Sequence, residues 1–166
     1  MPFDFLATLR ALVDHGVDFV VIGGIGGRVW GSPSVTADTD ICYARDRANL
    51  ARLADALADL GARLRGVDDD VTFLVDADTI GAGDTFTFVT RHGDLDVIGT
   101  PDGTTGYQDL AAAAVEVDLD GMTVRVAALD DLIRMKRATG RAKDRAEVEI
   151  LEALRDEIER EGPATP

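Results

Sequence analysis

The chain has 166 residues, 46% of them apolar and 29% charged, with one cysteine and a net charge of −14. That length and balance describe a soluble protein with a real core. They exclude an intrachain disulfide framework, and no apolar run reaches the ~18 residues of a membrane span. A surface this acidic repels a phosphate backbone, which argues against a general nucleic-acid binder, and the lone cysteine, Cys42, suits a reducing cytoplasm.

In chain order, Phe3–Asp14 carries Phe5, Leu6, Leu9, Leu12 and Val13 at helical spacing and stops near Gly16. Phe19–Ile22 reads as a short buried strand, and Ile25–Trp30 as a short helix after the turn Gly23-Gly24. Thr39–Tyr43 is a second strand and Arg47–Leu60 an amphipathic helix ended by Gly61. Thr85–Thr90 and Leu95–Ile98 form paired strands joined through residues 91–94. Val115–Leu119 and Met122–Ala127 form a hairpin around Asp120-Gly121. Helices follow at Leu129–Ala138 and Lys143–Arg160, with Gly140 between them and a frayed tail at 161–166. The order predicts one domain over 1–160 of α/β (α+β) class, a small mixed β-sheet flanked by helices.

Strand, glycine turn, helix, strand and acid is also the order of a dinucleotide-binding unit. Gly24 and Gly26 could open its G-x-G-x-x-G fingerprint, but Val29 stands where the third glycine belongs. The second feature of this region is the pair Asp38 and Asp40. Residues two apart on a strand point the same way, with Cα atoms ~6.6 Å apart. Asp96 lies in the apolar frame Leu95-Asp96-Val97-Ile98. If that strand neighbours Thr39–Tyr43, Asp96 comes within ~4.8 Å of the pair. Each carboxylate pair at ~5 Å then costs about 3 kcal/mol at an effective dielectric of 20. A hard divalent cation, magnesium or manganese, relieves that repulsion, as does a retained proton. Asp94 is the competing third acid, placed at the turn rather than within the run.

Gly23-Gly24, Asp38-Thr39-Asp40 and Leu95-Asp96-Val97 together resemble the nucleotidyltransferase superfamily, the DNA polymerase β-like fold. The C-terminal segment "LDDLIRMKRATGRAKDRAEVEILEAL" resembles small bacterial members near the AbiEii-type toxins, which carry D-L-x-x-x-K followed by a basic turn and R-x-K-D. The resemblance implies that Gly23 and Gly24 contact nucleotide phosphates and that Asp38 and Asp40 hold Mg2+ or Mn2+. It implies Asp96 as third carboxylate and general base, and Lys136 as a ligand of the triphosphate. Arg141 and Asp144 join Lys136 among the implied nucleotide-binding residues, with Asp144 orienting Lys136 or a neighbouring arginine. The implied reaction is transfer of NMP from an NTP to an acceptor hydroxyl on RNA (tRNA), protein or a small molecule, with a cognate antitoxin as a further partner and no membrane. The alternative is a catalytically weak or inactive member that binds a nucleotide or a partner protein. Gly24 stands where many relatives have serine, Ser34 where arginine is common, and Thr39 where an apolar residue is usual.

Six basic residues, Arg134, Lys136, Arg137, Arg141, Lys143 and Arg145, fall within twelve positions and read either as an anion-attracting segment or as a solvated helix face. Thr36 reads as a cap before the strand ahead of a place in the metal shell, His92 as a surface residue ahead of a base, Cys42 as core, Trp30 as core or pocket wall, and Asp68–Asp70 as a solvated acidic turn ahead of a metal site. Arg28 is open between phosphate and solvent.

Overall fold

A computed structural model describes residues 2–71 and 73–162. Its helices and strands alternate as α1 (Phe5–Asp14), β1 (Phe19–Ile22), α2 (Gly23–Trp30), β2 (Asp38–Tyr43), α3 (Arg47–Asp59), β3 (Arg63–Leu64), α4 (Ala77–Ala82), β4 (Thr85–Thr90), β5 (Gly93–Ile98), α5 (Tyr107–Ala113), β6 (Val115–Leu119), β7 (Met122–Val126), α6 (Leu129–Thr139) and α7 (Ala142–Glu161). The strands make one seven-stranded sheet in the order β3-β4-β5-β2-β1-β7-β6. It is mixed: β2 runs antiparallel to β1 and parallel to β5, and β1 runs parallel to β7.

Two apolar layers cover the sheet. On one face Val21, Ile41, Tyr43, Leu95 and Val97 are buried against Leu9 and Leu12 of α1 and Leu53 and Leu57 of α3. On the other, Val20, Ile22 and Cys42 are buried against Leu132 and Ile133 of α6 and Leu151 of α7. Cys42 is core, and Trp30 packs against both layers while its indole N–H donates to the Ala127 carbonyl at 2.9 Å. Helix entries follow local chemistry. Asp4 and Asp46 accept from the backbone of Ala7 and Asn49, satisfying end N–H groups of α1 and α3. Gly140, at φ +66, ends α6 in the left-handed region.

Three short elements, β3, α4 and α5, were outside the sequence expectation. Each has two to seven residues and is fixed by its neighbours rather than by its own periodicity. The larger correction concerns α2, which starts at Gly23 itself and not after the glycine pair. The helix α7 takes in Glu161 as well, and residues 163–166 of the expected frayed tail lie outside the described residues.

Loop 31–37, which carries the chain from α2 to β2, is tied to α7. Ser32 Oγ and Ser34 Oγ donate to the two oxygens of Glu147 at 3.2 and 2.5 Å. Ser34, one of the residues that depart from the resembled pattern, thus anchors the approach to β2.

Thr39 is buried in the first apolar layer with a hydroxyl that has no hydrogen-bond partner. Burying a hydroxyl unpaired costs about 1–3 kcal/mol. Thr39→Val keeps the shape and removes the hydroxyl, so urea unfolding should show a gain of roughly 1 kcal/mol, with no loss of cooperativity.

Candidate active site

The second face of the sheet changes character along the strands. On β1, Ile22 lies opposite Asp40 and Val20 opposite Cys42. On β5, Asp94, Asp96 and Ile98 lie beside Asp38, Asp40 and Cys42. Helix α6 packs on the apolar residues of these stripes through Leu132 and Ile133. In-register partners of adjacent strands point to one side, so four carboxylates share one patch. The expected neighbourhood of the two strands is therefore the observed one, and Asp94 joins the group alongside Asp96.

Burial and like charge act strongly there. The Asp40 carboxyl is pushed up to about 7, first by burial, then by Asp96 and Asp38, while Lys136 pulls the other way. Asp96 is raised as well, chiefly by burial, against the opposing pull of Arg65. Asp40 and Asp96 are register partners, and the charge of each bears on the other.

Arg65 was not among the expected site residues. It follows β3 at the sheet edge, and its backbone N–H donates to the Thr87 carbonyl at 2.9 Å. Its guanidinium reaches to Asp96 Oδ1 at 2.5 Å and Asp94 Oδ2 at 2.9 Å, with Asp38 Oδ1 at 3.9 Å. No local signal in "GARLRGVDDD" marks this arginine. Only the pairing of the edge strands brings it over the acids.

The glycine turn closes the other side. Gly23 sits at φ +63, and a Cβ there would run into the Asp40 carboxylate. Gly24 faces Thr36 so closely that a Cβ would lie 2.7 Å from Thr36 Cβ and 2.8 Å from its hydroxyl. Glycine at 24 is thus a packing requirement of Thr36. That residue also takes the capping role read from the sequence, its hydroxyl bonding the backbone of Asp38. Ile22 precedes α2 without any side-chain cap, so the first N–H groups of that helix face the site unpaired by side chains.

Beside Asp40 opens a cavity of about 290 Å3, lined by Gly23, Leu132, Met135, Lys136, Thr139 and Arg141 among others. Lys136 projects from α6, held by Asp144 Oδ1 at 3.4 Å. Asp144 is buried, and it also accepts from Thr139 at 2.5 Å and from Arg141 at 2.7 Å. Burial alone would raise its carboxyl, but the bonds from Thr139 and Arg141 and the charge of Lys136 outweigh that and hold it below the ordinary value. The structure therefore brings Gly23, Asp38, Asp40, Asp96, Lys136, Arg141 and Asp144 to one region.

The basic segment as a whole is not one face: Arg134 bonds Asp109 and Asp131, and Arg137 pairs with Glu152. His92 lies in the β4–β5 turn just before Asp94, where its carbonyl accepts from the Asp4 backbone N–H at 2.9 Å.

Oxygen-only donors are the set a hard divalent ion takes, and a cation would oppose both the burial and the like charge that raise the Asp40 carboxyl. In that sense Asp38, Asp40 and Asp96 fit such an ion. As they stand, no three His, Cys, Asp or Glu side chains among the described residues form a group that could hold one, and the Arg65 guanidinium lies against Asp96 instead.

No family model and no curated protein sequence matches the chain. Solved structures do. A lincosamide antibiotic adenylyltransferase, LnuA, with lincomycin bound aligns over 90% of this chain and 95% of its own at a TM-score of 0.60 and 14% identity. The antibiotic-resistance factor ANT(2'')-Ia aligns in its solution structure (TM-score 0.55, 14% identity, 95% and 90% of the two chains) and in its complex with adenylyl-2''-tobramycin (0.53, 14%, 93% and 94%). A Thermotoga maritima protein provisionally classed as a nucleotidyltransferase aligns at 0.51, with 18% identity over 94% and 93%. The fold of this chain is that of the nucleotidyltransferases.

The acid patch makes a pH prediction for the metal-free protein. A carboxyl raised on folding favours the folded state below the ordinary value of 3.8, and that contribution is lost as pH rises through about 7. Asp40→Asn should therefore leave stability unchanged at pH 4 and raise it by roughly 1–3 kcal/mol at pH 8 in EDTA, read by thermal or urea unfolding.

Proposed function

We propose that the protein is a nucleotidyltransferase that moves NMP from an NTP to an acceptor hydroxyl. The observation that carries the reading is the strand register that gathers Asp38, Asp40 and Asp96, with Asp40 lining a cavity that it shares with Gly23, Lys136 and Arg141.

Each residue has a task suited to its chemistry. The N–H groups of Gly23 and Gly24, at the uncapped start of α2, accept the close approach of phosphate oxygens. Lys136, steadied by Asp144, and Arg141 bind the outgoing phosphates. Asp38, Asp40 and Asp96 would hold Mg2+, or Mn2+ in its place, which supplies positive charge against the triphosphate when bound. Asp96 takes the proton of the acceptor hydroxyl as its oxygen attacks the α-phosphorus. The bond from that phosphorus to the bridging oxygen breaks, and pyrophosphate leaves towards Lys136. Positioning and charge neutralisation carry most of such a transfer.

The acceptor side is acidic, since Asp38 and Asp94 stand at its open edge, and the whole chain is at −14. That favours a small molecule, and a cationic one, over an RNA. Lincomycin and the tobramycin adduct seen in the structural neighbours are small molecules too. An RNA or protein acceptor, and an antitoxin partner, are supported by the resemblance of the C-terminal segment alone. A non-catalytic nucleotide-binding role is the second reading. It is favoured by the Arg65 guanidinium on Asp96 and by the unusual residues Ser34 and Thr39.

Incubation with each α-labelled NTP and Mg2+, against pools of aminated sugars, RNA and protein, separates these readings. Label transfer that is abolished in Asp38→Ala/Asp40→Ala is the expected outcome, with Lys136→Met lowering kcat/KM about 100-fold, mainly through KM for the NTP. Tight NTP binding with no transfer to any pool would favour the binding role.

A further inference from the structure

Four carboxylates meet on the ends of β2 and β5, and one guanidinium lies against three of them. Arg65 holds Asp96 Oδ1 with one Nη and Asp94 Oδ2 with the other, a two-armed grip spanning two residues of the same strand face. Lys136, the cation that acts on Asp40, is itself paired with Asp144. Arg65 is thus the cation that answers the charge of this patch.

The backbone at Arg65 is fixed to the sheet, and its side chain reaches the acids from the exposed edge. The main chain at Arg65 is bonded to Thr87 of β4, the next residue is Gly66 at φ +77 with open space around it, and the Arg65 side chain is one-third exposed. Asp96 is the more enclosed of its two strong partners, with a side chain 19% exposed. A divalent ion that draws on Asp96 meets the guanidinium there. Arginine does not give up its proton, so it can leave this corner only by moving.

We propose that Arg65 is the built-in counter-cation of the acid patch, and that it competes with a divalent ion for Asp96. This rests on the transferase reading of the same residues. The guanidinium neutralises the acids until an ion arrives, and the ion must displace one of its two arms. Arg65 therefore sets the divalent-ion affinity of the free protein and keeps it weak. The second arm, on Asp94, retains the side chain at the rim of the site.

Mn2+ binding to the full chain without nucleotide, followed by the EPR signal of free Mn2+, tests this directly. Arg65→Met should bind Mn2+ about tenfold or more tightly than the wild type. Arg65→Lys keeps the charge but not the two-armed grip and should fall between them. Binding in every case should vanish in Asp38→Ala/Asp40→Ala. The wild type provides a second test that does not depend on a variant folding: the 15N signal of the Arg65 Nε should shift, saturably, on titration with diamagnetic Mg2+. Equal or weaker Mn2+ binding in Arg65→Met, or an unmoved Arg65 signal at saturating Mg2+, would overturn the competition while leaving the transferase reading intact. An absence of divalent-ion binding in all variants would remove both.

Discussion

The parallel register of β2 on β5 is the constraint from which the rest of this molecule follows. It sets Asp40 beside Asp96 and Asp38 beside Asp94, and the two-residue repeat of a strand then fixes all four on one face. The alternate residues Thr39, Ile41, Leu95 and Val97 are pinned in the opposite apolar layer. A one-residue slip would bury the carboxylates among leucines. The core thus enforces a like-charge arrangement that no local preference would choose, and it is held against its own repulsion by the packing of α1 and α3 beneath it.

Every other feature of the site answers that repulsion. The raised carboxyl of Asp40, which holds its proton to higher pH, relieves part of it. Arg65 relieves another part from the sheet edge, and Lys136 acts on Asp40 from the cavity side. The two glycines let the start of α2 come up against the carboxylates, a placement that a side chain at 23 or 24 would block. Such a surface is unbalanced in a way that suits a transient guest carrying both signs: a metal ion with its triphosphate. This is the physical content of the link between the nucleotidyltransferase fold and the proposed reaction.

Much of the fold was legible because long elements carry their own period. The helices α1, α3, α6 and α7 and the hairpin at Asp120-Gly121 are written in local spacing. The acids were legible as a pattern, D-x-D followed by an acid inside an apolar run. Lys136 and Asp144 were legible from the C-terminal resemblance, and the structure joins them through a buried network with Thr139 and Arg141. What escaped notice depends on distant chain. Arg65 acquires its partners only through the edge pairing of β3 with β4, and Glu147 meets Ser32 and Ser34 across more than a hundred residues. The start of α2 was missed because glycines are poor helix formers. Here packing against Asp40 and Thr36 overrides that propensity.

The central claim is that residues 38, 40 and 96 gather around one divalent ion facing the glycine turn. Crystals soaked with Mn2+ and a nonhydrolysable NTP test it most directly through the anomalous scattering of the metal. The account predicts a manganese peak within ligand distance of the Asp38, Asp40 and Asp96 carboxylates, with the triphosphate running from the start of α2 towards Lys136. A manganese peak elsewhere, or a triphosphate bound away from Gly23 and Lys136, would contradict it.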